Sequence, residues 1–485
     1  MRNVCLNIIF ACLLTLLSAC QQPKDVVDID MIPPIYPDYT DITIPQNIAP
    51  LNFIIRNNPS AVEMTIEGES TRILKRDNYE VSFPRNMWRS ILEAEVGNTI
   101  TVRITAKVDG VWIRYAPFYW KVVADKIDPF LSYRLIEPGY EVWNSIQLRE
   151  RNIETFDEYV IADNNLTDRS CMNCHIYGNQ DPNLSFFHLR GINGGTILNR
   201  NGQLRKLNIR TSEMVSSATY GNFHTSGRYA IFSSNTVIPA FHTAKGERLE
   251  VYDEASDLVL ADFDDNKILY FPKDTGDTKP FRTFPVFSSD GRYVYYCEAP
   301  FVELPEDIRE LKYSIHRIPF DEASFSFGNQ VDTIFSAEDA GKSASLLSAS
   351  PDGRFLMYSV ADYGTFPIWH RETDLQMINL RTFEIDSLSS INADYSDTYH
   401  SWSSNSRWFV FASKRDDGVY GKPYFSYIGS DGQATKPFLL PQKDPAIYDN
   451  GLKSYNIPQF SKGKLPFGAR DIEILYREAE LESIK

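Results

Sequence analysis

Long apolar runs, basic clusters and paired cysteines are what this 485-residue chain has least of. The only sustained apolar run, Ile8 to Leu17, is too short to span a bilayer, which sets aside a multi-span membrane protein. Lys and Arg number 49 against 64 Asp and Glu, and the net charge of −15 is spread along the chain. Such a surface repels phosphate backbones and offers no basic patch, so nucleic acid is not an expected partner. Of six cysteines only Cys171, Cys174 and Cys297 lie beyond residue 20. Three cannot build a disulfide framework, and no second pair exists to complete a four-ligand zinc site. G-x-S-x-G, H-E-x-x-H, P-loop and Rossmann fingerprints are missing. Acidic pairs are too numerous in this chain for any one to be nominated as acid and base.

What is present favours β-structure: 13% aromatic residues, with 25 Gly and 27 Pro to supply turns. Residues 1–19, with Arg2 ahead of the apolar run and Leu17-Ser18-Ala19 before Cys20, read as a signal peptide. Small residues before a cysteine resemble the lipobox of bacterial lipoproteins, which implies lipidation of Cys20 and anchorage at a membrane surface. The Pro- and Asp-rich stretch 20–44 then reads as an extended spacer.

Residues 45–125 alternate with period two. Ile100, Val102, Ile104, Ala106 and Val108 face one way, Asp109-Gly110 turns the chain, and Val111, Ile113 and Tyr115 resume the pattern. This predicts a small β-sandwich, immunoglobulin- or fibronectin-like.

Further on, a motif recurs. Val286-Phe287-Ser288-Ser289-Asp290-Gly291-Arg292-Tyr293 matches Ala349-Ser350-Pro351-Asp352-Gly353-Arg354-Phe355 and the stretches beginning Asn222-Phe223-His224 and Trp402-Ser403. A worn copy is Gln459-Phe460-Ser461-Lys462-Gly463. Recurrence in phase, one hairpin per unit, predicts propeller blades. The units resemble TolB-type β-propellers, which implies about six blades over residues 194–467 around a central channel. The expected fold class is all-β: a sandwich, a connecting segment (126–193) and a propeller, then a tail (468–485). Strands at 195–198 and 203–207 are the expected closure of the last blade.

The connecting segment carries Cys171-Met172-Asn173-Cys174-His175. C-x-x-C-H is the attachment signature of c-type haem: two thiols on one helical turn meet the porphyrin vinyls, and the histidine ligates the iron. A structural disulfide, a catalytic dithiol or another metal stay open beside that reading. The run from Ser170-Cys171 through Asn179-Gln180-Asp181-Pro182 to Phe187-His188-Leu189-Arg190-Gly191 resembles Bacteroidetes-like lipoproteins that join C-x-x-C-H to a TolB-type propeller. For a distal ligand, His188 is the first choice, and His224, His242 and Met214 are weaker ones. His224 stands where other repeats have Ser. His400 precedes a blade strand, at the channel mouth or as a satisfied structural histidine. His316 and His370 carry no signal, and Cys297 reads as a buried apolar thiol.

The expected function is a lipid-anchored protein of the cell envelope, at the outer membrane, holding one covalent haem c on Cys171, Cys174 and His175. It would transfer electrons or serve haem-dependent redox chemistry, with the propeller docking an envelope protein. The alternative is a non-enzymatic propeller scaffold or ligand-binding lipoprotein in which Cys171–Cys174 is a disulfide. Any small ligand of the channel is not identified by the sequence.

Overall fold

A computed structural model describes residues 25–138, 144–241, 249–273, 276 and 278–485. Cys20 and His242 lie outside the described residues. The chain is all-β, with only short helices between its sheets.

The N-terminal unit has two sheets. A seven-stranded sheet is built on Thr99–Val108, which pairs with Ala61–Glu67, Val111–Arg114 and Phe118–Val123; a three-stranded sheet holds Ile35–Tyr36, Phe53–Ile55 and Glu80–Val81. The expected alternation is observed: Ile100, Val102, Ile104 and Ala106 are buried. The stretch expected as a free spacer differs. Val26–Asp28 pairs with Val111–Arg114, and Ile42–Pro45 pairs with Phe118–Val123. Ile35, Tyr39, Ile42 and Ile44 of this stretch are buried, and this apolar content outweighs the extended tendency of its prolines.

Six further sheets follow. The first combines Phe130–Ile136, Ile146–Asn152 and Glu158–Asp163 with Ser454–Ser461 from the far end of the chain. The second holds Met172–Tyr177, Leu184–Leu189, Gly195–Arg200 and Gln203–Asn208. The third runs from Ala218–Phe223 to Lys267–Tyr270, the fourth from Phe281–Phe287 to Asp332–Phe335, the fifth from Ser343–Ala349 to Ile385–Asp386, and the sixth from Asp397–Trp402 to Phe438–Leu439. In each, one terminal strand touches the corresponding strand of both neighbouring sheets. The cycle runs through Ser454–Ser461, Met172–Tyr177, Ala218–Phe223, Phe281–Phe287, Ser343–Ala349 and Asp397–Trp402. These are called inner strands below.

The strand that joins the two ends of this array is therefore not where the sequence pointed. Residues 195–198 and 203–207 are outer strands of the second sheet, and Phe130–Ile136 pairs with Ser454–Ser461 instead. Residues 126–193, expected as a connecting insert, supply five strands to the first and second sheets.

The recurring turns are local and explain their residues. Asp290 accepts from Ser288 Oγ at 2.6 Å and from the Arg292 amide at 3.1 Å, while Gly291 adopts φ +74°. Asp352 and Gly353 repeat the arrangement. Only glycine adopts that backbone at no steric cost.

The N-terminal unit and the sheet array share one core. Trp120, Trp88, Phe118 and Ile104 cluster with Trp408, Phe425 and Phe438 of the sixth sheet and Phe460 of the first. Trp408 Nε1 donates to the Asp125 carbonyl at 2.8 Å, and Ser404 donates twice to the Asp128 carboxylate.

Candidate functional site

Every inner strand carries the same irregularity. Register shifts fall between Asn173 and Ile176, Ala218 and Gly221, Thr283 and Val286, Ser345 and Ser348, and Thr398 and Ser401, and also where Ser454–Ser461 meets Ser132 and Arg134. Bulges of this kind re-aim side chains. In five strands the bulge residue has positive φ without being glycine: Cys174, Phe284, Leu346, Tyr399 and Ile457. Around them lies a cavity of about 170 Å³ to which all six inner strands contribute.

Cys174-His175 is the second sheet's bulge, and Tyr399-His400 the sixth's. Both imidazoles are buried, line the cavity, and have no hydrogen-bond partner on either ring nitrogen. The Ser132 and Met357 carbonyls lie beside them without reaching bonding geometry. Burial pushes both histidines down to about 4, so both rings are neutral. Burial also pushes the Cys174 thiol up to about 11, against a partial opposing effect of Arg190 and Arg134. No Asp, Glu, Lys or Arg lines the cavity.

This geometry overturns the haem expectation. Met172–Tyr177 is a β-strand, so the two thiols do not share a helical turn. Cys171 packs with the apolar cluster of Met172, Phe187 and Leu189, whereas Cys174 lines the cavity. The cavity is well below the roughly 300–1,000 Å³ of ordinary cofactor pockets, and a porphyrin exceeds it. Among the described residues no group of three or more His, Cys, Asp or Glu is arranged to hold a metal ion. The disulfide of the alternative reading is not formed either, since Cys171, Cys174 and Cys297 are all free thiols.

The other candidate ligands stand apart from this cavity. His188 is buried and satisfied: Nδ1 bonds Thr196 Oγ1 at 2.9 Å and Nε2 bonds the Thr219 carbonyl at 2.7 Å. It thereby ties the second sheet to the third. His224 occupies the turn position held by Ser288 and Ser350 in the next sheets, with Nδ1 2.8 Å from Ser226 Oγ. Its ring packs on Phe287 and Phe320, and a Cβ at Gly291 would collide with it. The departure from the repeat is a packing choice between sheets. Met214 is buried among Phe186, Leu207 and Phe223. Cys297 is fully buried, as its aromatic surroundings suggested.

Sequence reasoning missed a second buried polar region. Tyr229–Phe241 and Leu249–Asp262 form a long hairpin arm that extends beyond Ala218–Phe223 toward the fifth sheet. Leu249 and Val251 pack on Phe366, beside Tyr220 of the cavity wall. Glu250 bonds His370 Nε2 at 3.1 Å and accepts from Tyr363 OH at 3.0 Å. Burial alone would lower the His370 pKa, but the bonds to Glu250 and Glu372 override it and push it up to about 9. At the arm's base Asn235 Nδ2 donates to Asp253 at 2.7 Å and to Thr283 Oγ1 at 3.1 Å. Nothing in the sequence sets His370 apart, because its buried partner Glu250 lies 120 residues away.

No family model matches the chain. No curated protein matches it either. Among solved structures it is similar to an oligogalacturonate lyase in complex with manganese, at 12% identity and TM-score 0.38 over 69% of this chain and 73% of that one. It is also similar to prolyl oligopeptidase B from Galerina marginata, at 11% identity and TM-score 0.37 over 64% of this chain and 44% of that one. A DUF4784 family protein from Bacteroides caccae gives 8% identity and TM-score 0.28 over 73% and 94%. None of these carries an activity or a residue across to this chain.

Proposed function

We propose that this chain is a ligand-binding protein of the cell envelope, built as a β-sandwich fused to a six-bladed propeller of the TolB type. The cycle of inner-strand contacts and the repeated Asp-Gly turns support the six blades. The two N-terminal sheets about one core support the sandwich. A lipid on Cys20 would hold the protein at the outer membrane, and the faces away from the cavity would dock an envelope protein.

One observation carries the binding function: four unpartnered ring nitrogens, on His175 and His400, bordering a cavity free of ionised side chains. An unsatisfied buried polar atom costs about 1–3 kcal/mol, which a bound molecule with matching donors and acceptors recovers. With no counter-charge in the wall, an ionic ligand would be penalised and an uncharged polar one accepted. Binding is favoured over catalysis because the adjacent cysteine and histidine hold the wrong protonation states for a nucleophile–base pair. The thiol stays protonated, and the imidazole is too weak a base to activate it.

Thermal-shift titration with glycerol and neutral monosaccharides tests this reading. At least one raises the wild-type melting temperature by a few degrees and leaves a His175→Leu/His400→Leu variant unmoved. A folded wild type indifferent to every such probe contradicts the proposal.

A further inference from the structure

Between the second and third sheets a separate pocket of about 340 Å³ opens, lined by residues of the 188–196 and 207–218 stretches. It includes the Arg190-Gly191 end of the run that accompanies the C-x-x-C-H motif, a feature the cavity does not use. Arg190 and Arg210 line it, and no acidic residue does. Both side chains are exposed, and neither guanidinium has a hydrogen-bond or ion-pair partner among the described residues. Nearby arginines of the same two sheets are paired: Arg200 with Asp264 at 2.5 Å, Arg205 with Glu482 at 2.8 Å and Arg228 with Asp262 at 2.6 Å.

The pocket is held in shape from within. His188 is buried beneath it, bonded to Thr196 on one sheet and to the Thr219 carbonyl on the other. A Cβ at Gly194 would collide with the Leu189 carbonyl oxygen, so glycine is what permits the tight return from Arg190 to the next strand. The Ser216 and Ser217 hydroxyls at the rim have no bonding partner among the described residues.

We infer that this pocket is an oxyanion site, in which Arg190 and Arg210 take the phosphate or carboxylate group of a small ligand and Ser216 and Ser217 add donors. Paired guanidiniums suit either group through charge-assisted, bidentate hydrogen bonds. The inference does not depend on the cavity's ligand, since the two sites share no ionised residue.

Calorimetric titration of the full chain at low ionic strength, with inorganic phosphate and separately with succinate, tests it. Saturable binding of phosphate alone identifies a phosphate-bearing ligand, binding of succinate alone a carboxylate, and binding of both a general oxyanion site. Arg190→Gln and Arg210→Gln should each weaken that binding about tenfold or more, while Arg381→Gln leaves it unchanged. As a measurement that needs no variant, the bound anion should protect Arg190 and Arg210 from phenylglyoxal, read by peptide mass spectrometry. No saturable binding of either anion, or binding and labelling indifferent to both arginines, overturns the inference.

Discussion

Asp253 illustrates how a single buried group contributes to the pH response of this protein. It is fully buried, accepts one bond from Asn235, and leaves its other carboxylate oxygen unpartnered. Burial raises its pKa to about 7, against the partial opposing effect of Asn235. The folded state thus holds this proton more tightly than the unfolded chain does. Its contribution to stability is greatest below the ordinary carboxylate range, declines as pH rises through about 7, and is flat beyond. Asp253→Asn removes the buried charge while keeping the shape. It should stabilise the protein at pH 8 by on the order of 3 kcal/mol and lessen the decline between pH 4 and 7, to which Glu150, also raised to about 7 by burial, still contributes, as measured by urea unfolding across pH. The partner that defines Asp253 is 18 residues away on the other strand of the hairpin arm, so its isolation from charge is not written in its own neighbourhood.

At the scale of elements, the turns and the bulges behave oppositely as signals. Asp290-Gly291 and Asp352-Gly353 were legible because a glycine at positive φ and a side-chain-capped turn are local requirements that the sequence must meet residue by residue. The bulges were not legible: Cys174, Phe284, Leu346, Tyr399 and Ile457 take positive φ without glycine, held there by the ring of inner strands. Reading C-x-x-C-H as a helical turn failed for the same reason. Three-residue spacing suits one turn of helix, and only the pairing of Met172 with Leu189 and Tyr177 with Ser185 makes the segment a strand. The bulge predicts its own substitutions. Cys174→Gly should be neutral or stabilising by up to about 1 kcal/mol, because glycine meets positive φ without strain. Cys174→Val should cost about 1–3 kcal/mol, since a β-branched residue tolerates that backbone least. Equilibrium unfolding of both variants reads the difference, and a glycine variant weaker than the valine one would contradict the assignment.

The whole molecule is closed by its ends. Phe130–Ile136 and Ser454–Ser461 pair across more than 300 residues, and Trp408, Phe425 and Phe460 bury themselves against the N-terminal sheets. Repeats announced the hairpin units, yet no local pattern announces which strands join the two ends of the array, because that pairing is the least local strand pairing among the described residues. A chain ending at Leu452 therefore loses the inner strand of its first sheet. It should show no cooperative thermal transition and should be digested rapidly by trypsin, while one ending at Lys462 keeps the strand and is the more resistant of the two. The same closure sets what the C-x-x-C-H segment can be: an inner strand whose bulge feeds a small, uncharged cavity, with its thiols free. The most direct measurement is the pyridine haemochrome spectrum of the mature protein produced alongside the cytochrome c maturation machinery, together with a thiol titration under denaturing conditions. The predicted result is no c-type band and three titratable thiols beyond Cys20, at residues 171, 174 and 297. A c-type band that vanishes in Cys171→Ala/Cys174→Ala would contradict the account.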